Sequence, residues 1–424
     1  MKPPKKWRRL DNAAKIFPPN STGRDPKVFR FTCELIEPVE PDALHRAAKR
    51  TLDEFPFFRY TLRHGVFWYY LEDTDLPATI EEEDEAPCQP LYLGATSPLF
   101  RILYYRNRIS LEVYHVLTDG TGALQFLRTL VCRYLQEAHP HALADAELSL
   151  GFDASSFQRM GDSFDKYYTG GRCRQEHDPR AYRIRSEKLR GFALRVTMGE
   201  TSVSALLAQA RARGTTITAL LGACLLVSVG QEMALRDRKK PVVVTVPVNL
   251  RNYFPSETAR NFFSVVNLGL DFRNTPCELE PAIAALTEVM HERLTRDYLQ
   301  NRLNALSGLE RNPFLRVLPL ALKDPIMRFA GSLADAAATV SLSNVGKVTM
   351  PQPLAPYIRK FDVFITTRDL QICSCSYGDT LSIAFTSAFQ SSDIEQRFFR
   401  MLTALGLHVT ISSNGQPSGE ETEE

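Results

Sequence analysis

The sequence predicts an α/β protein built in two parts, each a mixed β-sheet flanked by helices. Three observations carry this. The chain has 424 residues, more than one hydrophobic core usually serves. Strand-like and helix-like stretches alternate in both halves. Between about 150 and 190 that pattern dissolves into "GGRCRQEHDPRAYRIRSEKLRG", which carries seven Lys or Arg in 22 residues together with paired glycines and a proline. The expected organisation is an N-terminal part over 1–170, a basic connection over 171–190 and a C-terminal part over 191–424.

In the first half, "KVFRFTCELIEPV" is apolar and β-branched and reads as a strand. "EPDALHRAAKRTLDEFP" reads as a helix. Pro41 suits its first turn, Leu44, Ala47, Ala48 and Leu52 share a face, and Pro56 ends it. "FFRYTLRHGVFWYYLED" predicts a hairpin turning at His64-Gly65, and "EEEDEAP" a solvated acidic loop. "PLFRILYYRNRISLEVYHV" predicts a second hairpin turning at Arg106–Arg108. Along its second strand Ile109, Leu111, Val113 and His115 point one way, and Ser110, Glu112 and Tyr114 the other. A helix follows, with Ala123, Phe126, Leu127, Leu130, Val131 and Tyr134 at helical spacing.

The second half opens with a strand, "GFALRVTM". Helices follow at about 201–213 and 216–234, split by Gly214. "PVVVTVPVNLRNYF" and "NFFSVVNLGLDF" predict strands, 278–304 one long helix, and 313–330 another. "ATVSLSNVGKV", "KFDVFITTRD", "LQICSCSYGD" and "LSIAFTSA" predict short strands, and 391–405 a closing helix.

Composition narrows the function. A net charge of +2 is unlike the strongly basic face of a nucleic-acid binder. The N-terminus "MKPPKKWRRLDNAAKIF" is basic but lacks the apolar stretch of a secretory signal. The longest apolar run, "ITALLGACLLVSVG", is too short to span a bilayer and predicts a buried helix. Eight cysteines are scattered without a CxxC, and no His cluster has metal-ligand spacing. We expect reduced thiols, a cytoplasmic setting and no metal.

The chemistry-bearing stretch is "SLEVYHVLTDGTGALQFL", residues 110–127. Gly120-x-Gly122 is no dinucleotide fingerprint, because Gln125 stands at the third glycine and an antiparallel hairpin precedes it. There is no GxSxG, Walker loop or HExxH. His115 at a strand end, followed by Asp119-Gly120, is the remaining candidate. Chance supplies only about 0.02 His-x-x-x-Asp-Gly matches in a chain of this composition.

"YHVLTDGTGALQFLRTLVCRYL" resembles the active-site motif of the HxxxDG acyltransferase superfamily. That group includes chloramphenicol acetyltransferase, the plant BAHD acyltransferases, the alcohol O-acetyltransferases and the condensation domains of peptide synthetases. "RRLDNAAKIFPP", "LDEFPFFRYTLRHGVFWYYLE", "VPVNLRNYFPSETARNFF" and "SLSNVGKV" fall in the family's order and look most like the bacterial alcohol acetyltransferase-like proteins. Condensation domains usually carry a second histidine where Tyr114 stands, and the plant enzymes carry Asp-Phe-Gly-Trp-Gly where this chain has "SLSNVGKV".

The resemblance implies two chloramphenicol-acetyltransferase-like subdomains with an active-site tunnel between them. It implies His115 as the general base that takes a proton from a hydroxyl acceptor as the acceptor attacks a thioester. Asp119 and Arg251 are implied as a supporting ion pair pointing away from the reaction. Gly120 is expected to let the chain turn tightly and keep the tunnel open. Ser343 and Asn344 are candidate oxyanion donors, or else a turn held by Asn-x-Gly; Asn261 and Phe262 are candidate channel-lining residues. No cofactor-binding residue is assigned. The implied co-substrate is acyl-CoA and the acceptor an alcohol, with no resident cofactor. The length, without a carrier or adenylation domain, favours this over the alternatives: a condensation-type enzyme served by an acyl-carrier protein, or a non-catalytic binding member of the fold.

Overall fold

The structure, a computed structural model, describes residues 6–94, 96–144, 146, 148–150, 161–170, 179–190 and 194–414. Residues 171–178 of the expected basic connection, with Cys173, lie outside the described residues. The first half contributes β1 (Trp7–Arg9), β2 (Val28–Leu35), β3 (Tyr60–His64), β4 (Tyr69–Asp73), β5 (Ile80–Glu82), β6 (Phe100–Tyr105) and β7 (Arg108–Tyr114). The second half contributes β8 (Arg195–Ser202), β9 (Val242–Asn249), β10 (Phe263–Leu270), β11 (Val340–Lys347), β12 (Ile358–Ile365), β13 (Leu370–Tyr377), β14 (Thr380–Ser387) and β15 (Thr410–Ser413).

These strands form three sheets: a first, β12-β2-β7-β6-β5; a second, β1-β4-β3; and a third, β10-β9-β11-β13-β14-β8-β15. The mixed α/β class with flanking helices is as the sequence predicts. One strand of the second half joins the first sheet. β12 comes late in the chain but pairs antiparallel with β2, with Val363 opposite Phe31, and so extends the first sheet.

Register explains the two faces of that sheet. Phe31 pairs with Leu111 and Leu111 with Ile102, so these apolar residues share one face. The helices Pro41–Glu54 and Gly120–Ala138 cover it, with Phe126 stacked on Phe58 and edge-on to Phe100. The opposite face is polar yet also buried. Glu112 there is wholly buried and accepts from Arg30 Nε (2.8 Å) and Nη2 (2.6 Å), Arg101 Nε (2.7 Å) and the Cys88 amide (2.5 Å). A carboxylate out of water needs several such donors to offset its lost hydration. The acidic run expected as a solvated loop is partly recruited to this work. Its first two residues end β5, and Glu83 pairs with Arg30 at 2.5 Å.

The third sheet turns one face to the apolar helix Ile217–Glu232 and to helices Leu279–Arg293 and Asp393–Ala404. Its other face looks toward the first sheet, since Cys373, Cys375 and Ala384 join the core that holds β2 and β7. Two expected helices are each broken. The stretch 278–304 divides into Leu279–Arg293 and Arg296–Arg311, because Thr295 Oγ1 accepts the Tyr298 amide and starts a new helix. Pro319, in extended conformation, separates Pro313–Val317 from Leu320–Ala336. Among the described residues, no single helix is long and apolar enough to cross a membrane.

Replacing Glu112 by Leu strands two guanidiniums in the interior. The expected loss is about 3–5 kcal/mol of stability, read as a lowered urea midpoint with an unchanged slope.

Candidate active site

His115 follows the last residue of β7, and its amide still donates to the Lys27 carbonyl at 2.9 Å, so the strand edge carries it. Its ring stacks on Phe17 (centroids 4.4 Å apart) and meets Phe29 (5.0 Å) and Phe263 (5.4 Å). Phe29 belongs to the first sheet and Phe263 to the third, so the imidazole lies where the two sheets meet. It is half-buried rather than sealed.

Hydrogen bonding sets the tautomer. Nδ1 lies 3.0 Å from Asn261 Oδ1. The amide of Asn261 is held the right way round because its Nδ2 donates to Asp11 Oδ2 at 3.3 Å. An oxygen facing Nδ1 requires a proton on Nδ1, which leaves the lone pair on Nε2. No hydrogen-bond partner for Nε2 occurs among the described residues. Burial lowers the His115 pKa below its ordinary 6.5, against the opposing pull of Asp119 and Asn261. The ring is therefore neutral at pH 7, the form a base needs.

Asp11 and Asn261 are each about 1% exposed. Asp11 Oδ1 also accepts the Ala14 amide (2.7 Å), and Arg260 Nε stands 3.4 Å from Oδ2. Burial raises the Asp11 pKa, with Arg260 opposing.

Asp119 does a different task. Oδ1 caps the helix Gly120–Ala138 by accepting the Thr121 and Gly122 amides, both at 3.1 Å. Oδ2 accepts Arg251 Nη1 (2.7 Å) and the Phe262 amide (2.9 Å). Arg251 spends its other donors on the carbonyls of Thr258 and Arg260, at 2.6–3.1 Å. The pair thus holds the 258–263 corner that presents Asn261 and Phe263 to His115.

The glycine of the motif needs correction. Gly120 has no left-handed φ, and a Cβ there meets only the Phe31 ring, at an ordinary 3.7 Å. Gly122 carries the steric demand. A Cβ on it falls 2.1 Å from both the Ala259 carbonyl and Thr118 Oγ1, which hydrogen-bond to each other. The helix approaches the 258–263 corner too closely for any side chain.

The remaining candidates separate. Asn344 donates to Thr218 Oγ1 (2.9 Å) in helix Ile217–Glu232 and accepts the Gly346 amide (3.0 Å), so it faces the helical side and holds an Asn-x-Gly turn. By alternation Ser343 faces the other way, toward the first sheet, and is half-exposed. Phe262 is wholly buried beside Phe164 and Tyr167, so its ring packs in the second core and only its amide serves the site. Asp11 and Phe17 are the residues that sequence reasoning missed. Their one signal was the family-like segment "RRLDNAAKIFPP". Among the described residues no group of three His, Cys, Asp or Glu is placed to hold a metal. Two clefts of about 480 and 530 Å³ open on the chain, and His115 lines neither.

No family model and no curated protein matches the sequence. Solved structures do match in fold. Trichothecene 15-O-acetyltransferase from Fusarium sporotrichioides aligns with TM-score 0.62 at 12% identity, over 95% of this chain and 94% of that one. TRI101 from the same organism, complexed with coenzyme A and T-2, gives 0.61 at 11%, over 97% and 100%. The first condensation domain of the CDA synthetase gives 0.60 at 15%, over 94% and 96%. The chain therefore has the two-lobed α/β fold of the chloramphenicol-acetyltransferase-like acyltransferases and condensation domains.

The steric asymmetry is directly testable. Gly122→Ala is expected to cost on the order of 3 kcal/mol in chemical denaturation, whereas Gly120→Ala is expected to stay within about 1 kcal/mol of the parent.

Proposed function

We propose that the protein is an acyl-CoA-dependent O-acyltransferase in which His115 is the general base. The observation that carries this is the hydrogen bonding of His115: Nδ1 faces Asn261 Oδ1, whose amide is oriented by Asp11, and Nε2 has no hydrogen-bond partner among the described residues. A non-catalytic core histidine is expected to have both nitrogens satisfied. In the proposed step Nε2 takes the proton of the acceptor hydroxyl while its oxygen bonds to the thioester carbonyl carbon. The tetrahedral intermediate then collapses, the carbon–sulfur bond breaks, and the imidazolium returns the proton to the departing thiolate of coenzyme A. Because both substrates react within one complex, no acyl-enzyme forms. Ser343, on the strand face turned toward the first sheet, is the proposed donor to the oxyanion.

The family-like architecture supports the reading, as does the Asp119–Arg251 pair, which holds the corner presenting Asn261 to the ring. Asn261 is a positioning residue in this scheme. It fixes the ring and favours the imidazolium that forms transiently, without adding a charge.

Purified protein offered acetyl-CoA or longer acyl-CoAs with a panel of alcohols should release free coenzyme A, detected by thiol titration. His115→Ala should lose about 10²–10⁴ of that rate. No release across the panel, or equal release by His115→Ala, rejects the proposal.

The pH profile adds an independent check. kcat/KM should be flat near pH 7 and fall as pH drops through an apparent pKa below 6.5, since protonation removes the base. Asn261→Leu should lower the rate and move that acid limb to still lower pH, because an acceptor for the imidazolium is gone. Asn261→Asp should move the limb upward, since a carboxylate beside Nδ1 favours the charged ring. A purely structural role for Asn261 predicts no opposed shifts.

A further inference from the structure

We propose that the helix Leu320–Ala336, together with the tip of the β3–β4 hairpin, is a docking surface for an anionic phospholipid membrane. The protein would lie on the bilayer without crossing it. The first observation is an apolar helix that the fold does not bury. Of its 17 residues only Leu320 is buried. Leu322, Ile326, Phe329 and Leu333 recur at helical spacing, within about 60° of one another around the axis, and all are exposed, Phe329 at 66%. A soluble helix normally turns such a stripe inward.

The second observation is where the chain's two tryptophans stand. Trp68 on the hairpin tip is 46% exposed and Trp7 on β1 is 59% exposed, and Phe67 beside Trp68 is exposed as well. Tryptophan is ordinarily among the most buried residues by area, and it is enriched at membrane interfaces, where its ring is half apolar and half polar. Hairpin and helix are joined. The Leu320 amide donates to the Val66 carbonyl (2.9 Å), Lys323 Nζ to the Phe67 carbonyl (2.7 Å), and Tyr69 Oη to Asp324 (2.7 Å). The two elements thus offer one continuous surface.

The helix is also fixed in place. A Cβ on Gly331 falls 2.3 Å from Asn20 Oδ1, so this helix seats tightly on the short helix Phe17–Asn20. An exposed stripe on a rigidly seated helix is a surface, not a frayed segment.

Charge selects the occupant. Arg9 lies over the Trp68 ring (5.7 Å), Lys6 lies beside the end of β4, Lys323 reaches the hairpin tip, Arg328 is on the helix and Arg316 just before it. Of the acids on these elements, Asp324 accepts from Tyr69, Glu72 pairs with Arg63 (2.8 Å), Asp73 ends β4 and Asp335 lies at the far end of the helix. Anionic headgroups complement this belt, and basic residues flanking Trp, Phe and Leu are the composition of an interfacial helix. A second copy docked by two-fold symmetry brings the same cations against themselves, so the charge pattern disfavours self-association.

This proposal does not depend on the reaction assigned to His115, and its test reads no activity. The full chain is mixed with extruded vesicles of phosphatidylcholine containing about one-quarter phosphatidylglycerol and sedimented. We expect co-sedimentation with a blue-shifted tryptophan emission, since the chain's two tryptophans lie on the surface. Binding should weaken on raising salt from about 0.1 to 0.5 M and on omitting phosphatidylglycerol. The triple variant Leu322→Ser/Ile326→Ser/Phe329→Ser should bind at least about tenfold less. Its residues are exposed, so its circular dichroism and melting temperature should match the parent. Leu235→Ser, which removes an equally exposed leucine elsewhere, should bind like the parent. The proposal is overturned if the parent stays in the supernatant, or if the triple variant sediments equally well. It is likewise overturned if light scattering shows a parent dimer that the triple variant dissociates while neither binds vesicles.

Discussion

A carboxylate whose one oxygen caps a helix and whose other oxygen grips a guanidinium has no freedom left, and Asp119 is in that position. Three parts of the chain meet there. The first is the end of β7, which carries His115; the second is the helix Gly120–Ala138; the third is the 258–263 corner, held by Arg251. Both members of the pair are nearly enclosed, at 6% and 10% side-chain exposure. Losing either strands the other in a poorly solvated place, at a cost of about 3–5 kcal/mol. The distances from the imidazole to Asn261 and Phe263 depend on this junction, because those two come from the corner while His115 comes from the first sheet.

The residue on Nδ1 is an amide and not a carboxylate, and this difference matters for the role proposed for His115. A carboxylate at 3.0 Å stabilises the imidazolium and raises its pKa. An amide oxygen fixes the same tautomer at much smaller electrostatic cost, and burial then keeps the ring neutral. An amide can rotate end for end, however, and offer a donor instead. Asp11 removes that ambiguity, since its carboxylate oxygen accepts from Nδ2 and turns Oδ1 toward the histidine. Asp11 is itself steadied by the Ala14 amide and Arg260. The orienting charge is thereby kept one residue away from the imidazole.

The legible part of this arrangement was the part written in short-range spacing. Alternation along 109–115 placed His115 at the strand end, and the four-residue step to Asp119 singled out the motif. Arg251 was legible through the family-like order of segments. Asp11 was not, because it stands 250 residues from Asn261 and no local pattern reports such a contact. Gly120 and Gly122 lie two apart in the same turn, and only the approach of Ala259 shows which one must lack a side chain. Asn344 and Ser343 are neighbours in sequence, yet a strand sends them to opposite faces. Helix Ile217–Glu232 then claims the first through Thr218. The acidic run near 83 looked solvated for the same reason: its partner Arg30 is 53 residues away.

Folding alone accounts for almost all of the large apolar side chains, which fill two cores on either side of the third sheet. It does not account for helix Leu320–Ala336. Transfer of apolar area from water is the main favourable term in folding, about 25 cal/mol per Å², and an exposed leucine or phenylalanine contributes none of it. The helix contributes little packing beyond Leu320 and the Gly331 contact. It nevertheless carries four large apolar residues on one outward face. The short helix Phe17–Asn20 stands between that helix and His115: Asn20 meets Gly331 on one side, and Phe17 stacks on His115 on the other. An outward apolar surface and the imidazole of His115 therefore lie on opposite sides of the same four-residue helix.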